Sequence, residues 1–125
     1  MFQKLVILAL AGSLGTLARY GLGGLVQRLT GASFPWGTWA VNALGCFLFG
    51  AFWALASGKF ALSGEVRTFV LIGFMGAFTT FSTFASESGQ LIDDSQWTLV
   101  CGNILLHNVG GIGLFFLGRA VGYLI

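Results

Sequence analysis

The run Gly73-Phe-Met-Gly-Ala-Phe-Thr-Thr-Phe-Ser-Thr-Phe-Ala-Ser-Glu87 decides how this chain is read. Five hydroxyls, on Thr79, Thr80, Ser82, Thr83 and Ser86, alternate with the rings of Phe74, Phe78, Phe81 and Phe84. The run lies inside an apolar segment. Polar side chains at membrane depth are costly, and they are kept where they join helices or serve a solute.

Working outward, the whole chain suits lipid rather than water. Of its 125 residues 56% are hydrophobic and 8% charged, with mean hydropathy +0.88. A soluble domain carries about a quarter charged residues. A spanning helix takes about 20 residues, so four spans use nearly all of the chain. The expectation is one all-α transmembrane domain, 1–125, with spans at about 5–26, 35–57, 65–91 and 97–121. The net charge of +2 gives no basis for nucleic-acid binding. Cys46 and Cys101 fall in apolar segments and read as small buried hydrophobes, not as half of a disulfide framework.

In the first span Gly12 and Gly15 permit close helix approach. Arg19 and Tyr20 lie toward its far end, where an arginine can snorkel to headgroups. Pro35, Trp36 and Trp39 open the second span at an interface, and Asn42 is its one strongly polar residue. The loop from Lys59 to Arg67 leads to the third span, which contains the opening run. Asp93 and Asp94 close that span, and Trp97 opens the fourth, where Asn103, His107 and Asn108 are the polar residues. Lys4, Lys59, Arg67 and Arg119 fall on one side of the membrane and Arg28 and Arg19 on the other. That is a weak positive-inside bias and a poorly specified orientation.

Enzyme templates fail. The single histidine, His107, has no carboxylate at helical spacing, and no phosphate-binding glycine loop is present. What remains is a set of neutral donors. On a regular helix Thr79, Ser82, Thr83 and Ser86 share one stripe and Phe78, Phe81 and Phe84 the opposite side. Asn42 and Asn103 add amides. Hydroxyls and amide N–H groups can donate to an anion, and the positive edge of a phenylalanine ring can face one. The competing reading of the stripe is hydrogen-bonding glue between helices; for Phe78 alone, packing is the better reading. Gly73 and Gly76 permit a mid-membrane unwinding from Gly76 to Thr79, where freed carbonyls could hold a small cation.

The run 73–84 with Glu87 closely resembles the signature of the Fluc fluoride channels. Gly12-Ser-Leu-Gly-Thr-Leu-Ala-Arg-Tyr20 resembles that family's first-helix motif, and Pro35-Trp-Gly-Thr-Trp-Ala-Val-Asn-Ala-Leu-Gly45 its second. The resemblance implies a four-helix subunit of the inner (plasma) membrane, with the third helix broken mid-membrane. It also implies an antiparallel homodimer with two separate anion paths. Phe81 and Phe84 match pore phenylalanines and Asn42 the pore asparagine. Ser82 and Thr83 fall in the hydroxyl region, Arg19 matches a vestibule residue, and Glu87 matches an acidic residue at the pore's end. A structural sodium ion is implied at the dimer centre, on backbone carbonyls that by position belong to Gly76 and Thr79. In the fourth span Asn103 fits the pore face. His107 departs from the small neutral residue usual there, and its pore role stands against packing across helices. The implied function is passive, fluoride-selective export relieving fluoride toxicity. A small dual-topology multidrug exporter would need a mid-membrane carboxylate early in the chain, where the first span offers only Arg19. A non-transporting scaffold subunit is the other alternative.

Overall fold

The computed structural model describes residues 1–58 and 62–125. Four helices are long and apolar enough to cross a membrane: Phe2–Thr30, Trp36–Ser57, Gly64–Asp93 and Trp97–Leu124. Among the described residues there is no strand. Lys59, counted above with the loop charges, lies outside the described residues.

The first and third helices run past their expected bounds at both ends. Apolar pattern marks the stretch buried in lipid, whereas helical bonding continues until a stop signal. For the first helix that signal is Gly31, in the left-handed conformation (φ 56°), whose N–H returns to the Gln27 carbonyl. At about 1.5 Å per residue its 29 residues exceed the roughly 30 Å hydrocarbon core, so it tilts or projects. The turn into the second helix is held by Gln27. Its Nε2 donates to the Ala32 and Phe34 carbonyls (3.0 and 3.2 Å), and its Oε1 accepts from the Gly37 N–H at 3.0 Å. Pro35 sits just ahead of the helix as its N-cap, not inside its first turn.

Helix pairing follows small residues, as expected where lipid gives no hydrophobic drive for helix association. The second and fourth helices make the closest pair. A methyl group at Gly118 would overlap the Phe47 carbonyl oxygen, and one at Gly50 the Phe115 carbonyl oxygen. The first helix meets the first half of the third, where a methyl at Gly73 would come within 2.7 Å of Ala11 Cβ. At the start of the third helix Glu65 pairs with Lys4 (3.3 Å) and Arg67 donates to the Ala56 carbonyl. Phe78, 3% exposed, stacks on Phe74 and packs with Val41 and Met75, which bears out packing for that ring. Cys46 is half-buried, but Cys101 faces outward from the chain, against the expectation that both are buried; both thiols are free.

The third helix is interrupted mid-span. Thr68–Met75 is wound as a wider π-helix, closing with the Gly76 N–H on the Leu71 carbonyl, five residues back. Gly76–Phe78 is α-helical; Thr79 (φ −85°, ψ 158°) and Thr80 (φ −150°, ψ 117°) are extended; Phe81–Asp93 resumes the helix. The break is thus narrower and later than the expected Gly76–Thr79. The two glycines do not unwind. Gly73 is spent on contact with the first helix, and the hydroxyls make the break. Thr79 Oγ1 donates back to the Met75 carbonyl (2.9 Å), and Thr80 Oγ1 caps the new helix by accepting from the Thr83 N–H.

Candidate functional site

Asn42 completes the break. Its Nδ2 donates to the Thr80 carbonyl at 2.9 Å and its Oδ1 accepts from the Thr80 N–H at 2.8 Å. One amide therefore satisfies both backbone groups of the residue that leaves the helix, as a break at membrane depth requires. A side-chain amide has two N–H bonds, so one remains for a guest. Gly45, on the same helix, leaves room for the Thr79 methyl against the second helix.

Two cavities meet at Thr80. The outer, about 450 Å³, is lined by Arg19, Gln27, Thr38, Thr83 and Glu87 among others. The inner, about 300 Å³, is lined by Asn42, Phe49, Phe81, Phe84, His107 and Asn108 with their neighbours. Among the described residues, no carboxylate, lysine or arginine lines the inner one. In the outer cavity Glu87 Oε1 accepts from Thr38 Oγ1 at 2.6 Å, while Oε2 is buried without a partner. Arg19 is half-buried in the same cavity and supplies the opposite charge.

Phe81 and Phe84 stand together, ring centroids 5.5 Å apart and planes inclined at 54°. Phe84 is buried, whereas Phe81 is 77% exposed in the single chain. A closed circuit holds Phe84. The Ser88 hydroxyl donates to the Phe84 carbonyl (2.8 Å) and accepts from Asn103 Nδ2 (3.0 Å). The Asn103 carbonyl accepts from His107 Nδ1 (3.0 Å), and the His107 ring lies on the Phe84 ring with centroids 4.4 Å apart.

Several expected site residues are placed otherwise than the sequence suggests. Asn103 is fully buried and lines neither cavity; its amide ties the fourth helix to Ser88. Ser82 also lines neither. It faces outward, its Oγ 3.5 Å from Thr80 Oγ1. The break removes Thr79 from any continuous stripe and separates Phe78 from Phe81 and Phe84. Asn42, Phe81, Phe84 and His107 come together in the inner cavity, and Arg19, Thr83 and Glu87 in the outer. Thr38, Gln27 and Ser88 carry no expected role from the sequence, and Thr80 counts there only as one hydroxyl of the run. Thr38 had a visible signal, since it lies four residues before Asn42 and so on the same helical face.

Residues 6–119 match the family described as CrcB-like protein, Camphor Resistance (CrcB). The chain belongs to the CrcB-like family. Among its curated relatives, a fluoride-specific ion channel FluC of Nitrosococcus oceani is 57% identical over 125 residues, covering all of both chains. The protein of that name from Desulforapulum autotrophicum is 52% identical, again over all of both. One from Legionella pneumophila is 42% identical over 113 residues, 90% of this chain and 84% of that one. The alignment of this CrcB-like chain with the first two spans its whole length, the residues of its broken helix included.

Proposed function

We propose that this chain is a fluoride-selective ion channel of the inner (plasma) membrane that lets cytoplasmic fluoride leave passively. It is not an enzyme. The observation that carries the reading is full-length identity of 50–57% to relatives named as fluoride-specific channels. The site supplies a mechanism. Fluoride is a small, strongly hydrated anion, and moving it into low dielectric without replacement partners is prohibitive. Arg19 draws it into the outer cavity, and the Thr83 hydroxyl, whose Oγ1 accepts from Thr80 Oγ1 at 3.0 Å and keeps its own hydrogen free, and the free Asn42 N–H replace water stepwise. In the inner cavity the ring edges of Phe81 and Phe84 take over, their hydrogens carrying partial positive charge. Beyond Arg19 each partner is neutral and modest, so the ion can enter and also leave. An inside-negative potential drives exit with about 2.3 kcal/mol per charge per 100 mV, so no nucleotide is needed.

The working unit is an antiparallel homodimer. Phe81, Ser82 and Gly76 lie exposed on the single chain around the break; the Ser82 hydroxyl and the backbone freed there are poorly placed against lipid and suit an inverted copy. The weak charge bias suits two orientations. Labelling a cysteine placed at Gly58 from both faces of the membrane tests this; labelling from one face only contradicts it.

The break also suits the structural sodium ion. The Thr80 N–H, which would close the helical bond to the Gly76 carbonyl, goes to Asn42, and the Thr83 N–H, which would serve the Thr79 carbonyl, goes to Thr80 Oγ1. Both carbonyls are released from helical bonding, the kind of ligand that unwound membrane helices offer sodium. Two from each chain would hold the ion, whose charge when bound would offset the carbonyl dipoles facing each other. An ion-resolving structure of the dimer with nothing at these oxygens would remove it.

Phe81→Ile and Phe84→Ile each keep apolar bulk and remove the ring edge. Each is expected to cut fluoride efflux from proteoliposomes, read with a fluoride electrode, by at least about tenfold, roughly the 1.4 kcal/mol of one ring–ion contact. Dimers should stay intact on size exclusion. Normal efflux in both variants would remove the ring-edge mechanism.

A further inference from the structure

One polar atom on a residue of the inner cavity is left without a role by the ion path. His107 Nε2 is buried and has no hydrogen-bond partner. The other ring nitrogen fixes its state. Nδ1 lies 3.0 Å from the Asn103 carbonyl oxygen, and a carbonyl only accepts, so Nδ1 carries the hydrogen. In the neutral ring Nε2 is then a bare lone pair. His107 belongs to the short π-wound segment Leu106–Gly110 of the fourth helix. It lines the inner cavity with Asn42 and Phe81, and its ring lies on Phe84. The groups facing it hold no compensating charge. The second helix presents Asn42, Cys46 and Phe49, the third Thr79, Thr80 and the two rings, and the fourth Asn108 and Phe115. Cys46 is the only other titratable side chain among them.

A lone pair is the wrong group to set beside an anion, and the mismatch is corrected by one proton. Taken up from solvent at Nε2, it turns the acceptor into an N–H donor and adds a positive charge where, among the described residues, no other cation lines the cavity. A cation against the face of Phe84 is attracted to it and makes the ring's edge hydrogens more positive. The anion and the proton then occupy low dielectric as a neutral pair, which is cheaper than either alone. We infer that His107 is a proton-binding site linked to the anion site, so that fluoride and a proton each favour binding of the other. Linkage makes the effect reciprocal. The inference rests on the channel reading and adds a second, protonic ligand to it. Histidine is the side chain suited to the role, because its ordinary titration lies near physiological pH.

The chain has a single histidine, so its ring nitrogens give an unmixed NMR signal. In wild-type protein in nanodiscs, labelled on the histidine ring with nitrogen-15, the neutral ring should show the Nδ1–H form. At a fixed pH near 7 more of the ring should be protonated in fluoride than in gluconate. In planar bilayers, where electroneutral hydrogen fluoride carries no current, the half-saturating fluoride concentration should fall at least about fivefold from about pH 8 to about pH 6. His107→Gln keeps a donor but cannot titrate and should flatten that dependence. A protein that carries fluoride current while its histidine titrates identically in both anions overturns the linkage alone, as does a pH dependence that survives His107→Gln. Absence of any fluoride current overturns the channel reading beneath it.

Discussion

Asn42→Asp is expected to reduce fluoride efflux by about three orders of magnitude. The substitution changes one N–H₂ to an oxygen and leaves the shape nearly unaltered, so the effect is electrostatic. A carboxylate at this position stands where the two cavities meet, beside Thr80, which lines both. Two like charges about 4 Å apart repel by about 4 kcal/mol at an effective dielectric of 20, and 1.4 kcal/mol is a factor of ten. A second consequence adds to the first. Asn42 serves Thr80 with a donor and an acceptor, at 2.9 and 2.8 Å. Aspartate keeps the acceptor, loses the donor, and sets an anionic oxygen against the Thr80 carbonyl. The break should loosen as well as fill with negative charge. Efflux from proteoliposomes is the readout, with dimer elution as the control for folding. Wild-type efflux from folded Asn42→Asp would reduce Asn42 to a packing residue.

Gly118→Val is expected to have the largest effect on stability. Even the first carbon of a side chain at Gly118 overlaps the Phe47 carbonyl oxygen. The obstruction is backbone, which cannot rotate aside as a side chain can. Gly50 faces the Phe115 carbonyl from the opposite direction, so the second and fourth helices approach through both glycines. Overpacking in a filled interior costs about 1–3 kcal/mol or more, and here the strain is transmitted to the helices that carry Asn42 and His107. The expected outcome is a lower thermal midpoint and loss of monodisperse protein. Gly113→Ala is the contrasting case, because nothing lies within 4 Å of its new methyl. It should be neutral or slightly stabilising, since alanine is the better helix former. Equal melting of Gly118→Val and Gly113→Ala would contradict the packing described.

What the sequence discloses and what it withholds divide along the range of the interactions. Four spans follow from hydropathy and loop punctuation, which are local. That a break is possible follows from hydroxyls and glycines crowded in lipid, and the family resemblance implies one. Its position does not, because that depends on Asn42, 38 residues from Thr80, accepting the bonds the helix gives up. A helical wheel assumes an unbroken helix, so it put Thr79 on a stripe that the extended residues 79–80 dissolve. Asn103 shows a related limit. An amide in a membrane helix can line a path or tie helices, and only its buried contact with Ser88 shows that here it ties them. The tie still serves the site, because Ser88 holds the Phe84 backbone and the Asn103 carbonyl holds His107. The role of Gln27 is not legible in sequence, because its three bonds go to main-chain groups of the following turn and of the second helix's first turn, which no pattern of side chains announces.

The path through these two cavities is expected to carry fluoride and exclude chloride. The most direct measurement is the reversal potential of purified protein in a planar bilayer with fluoride on one side and chloride on the other. The expected potential is set by the fluoride gradient alone, with no measurable chloride current. A potential near zero, or one that follows chloride, would contradict it.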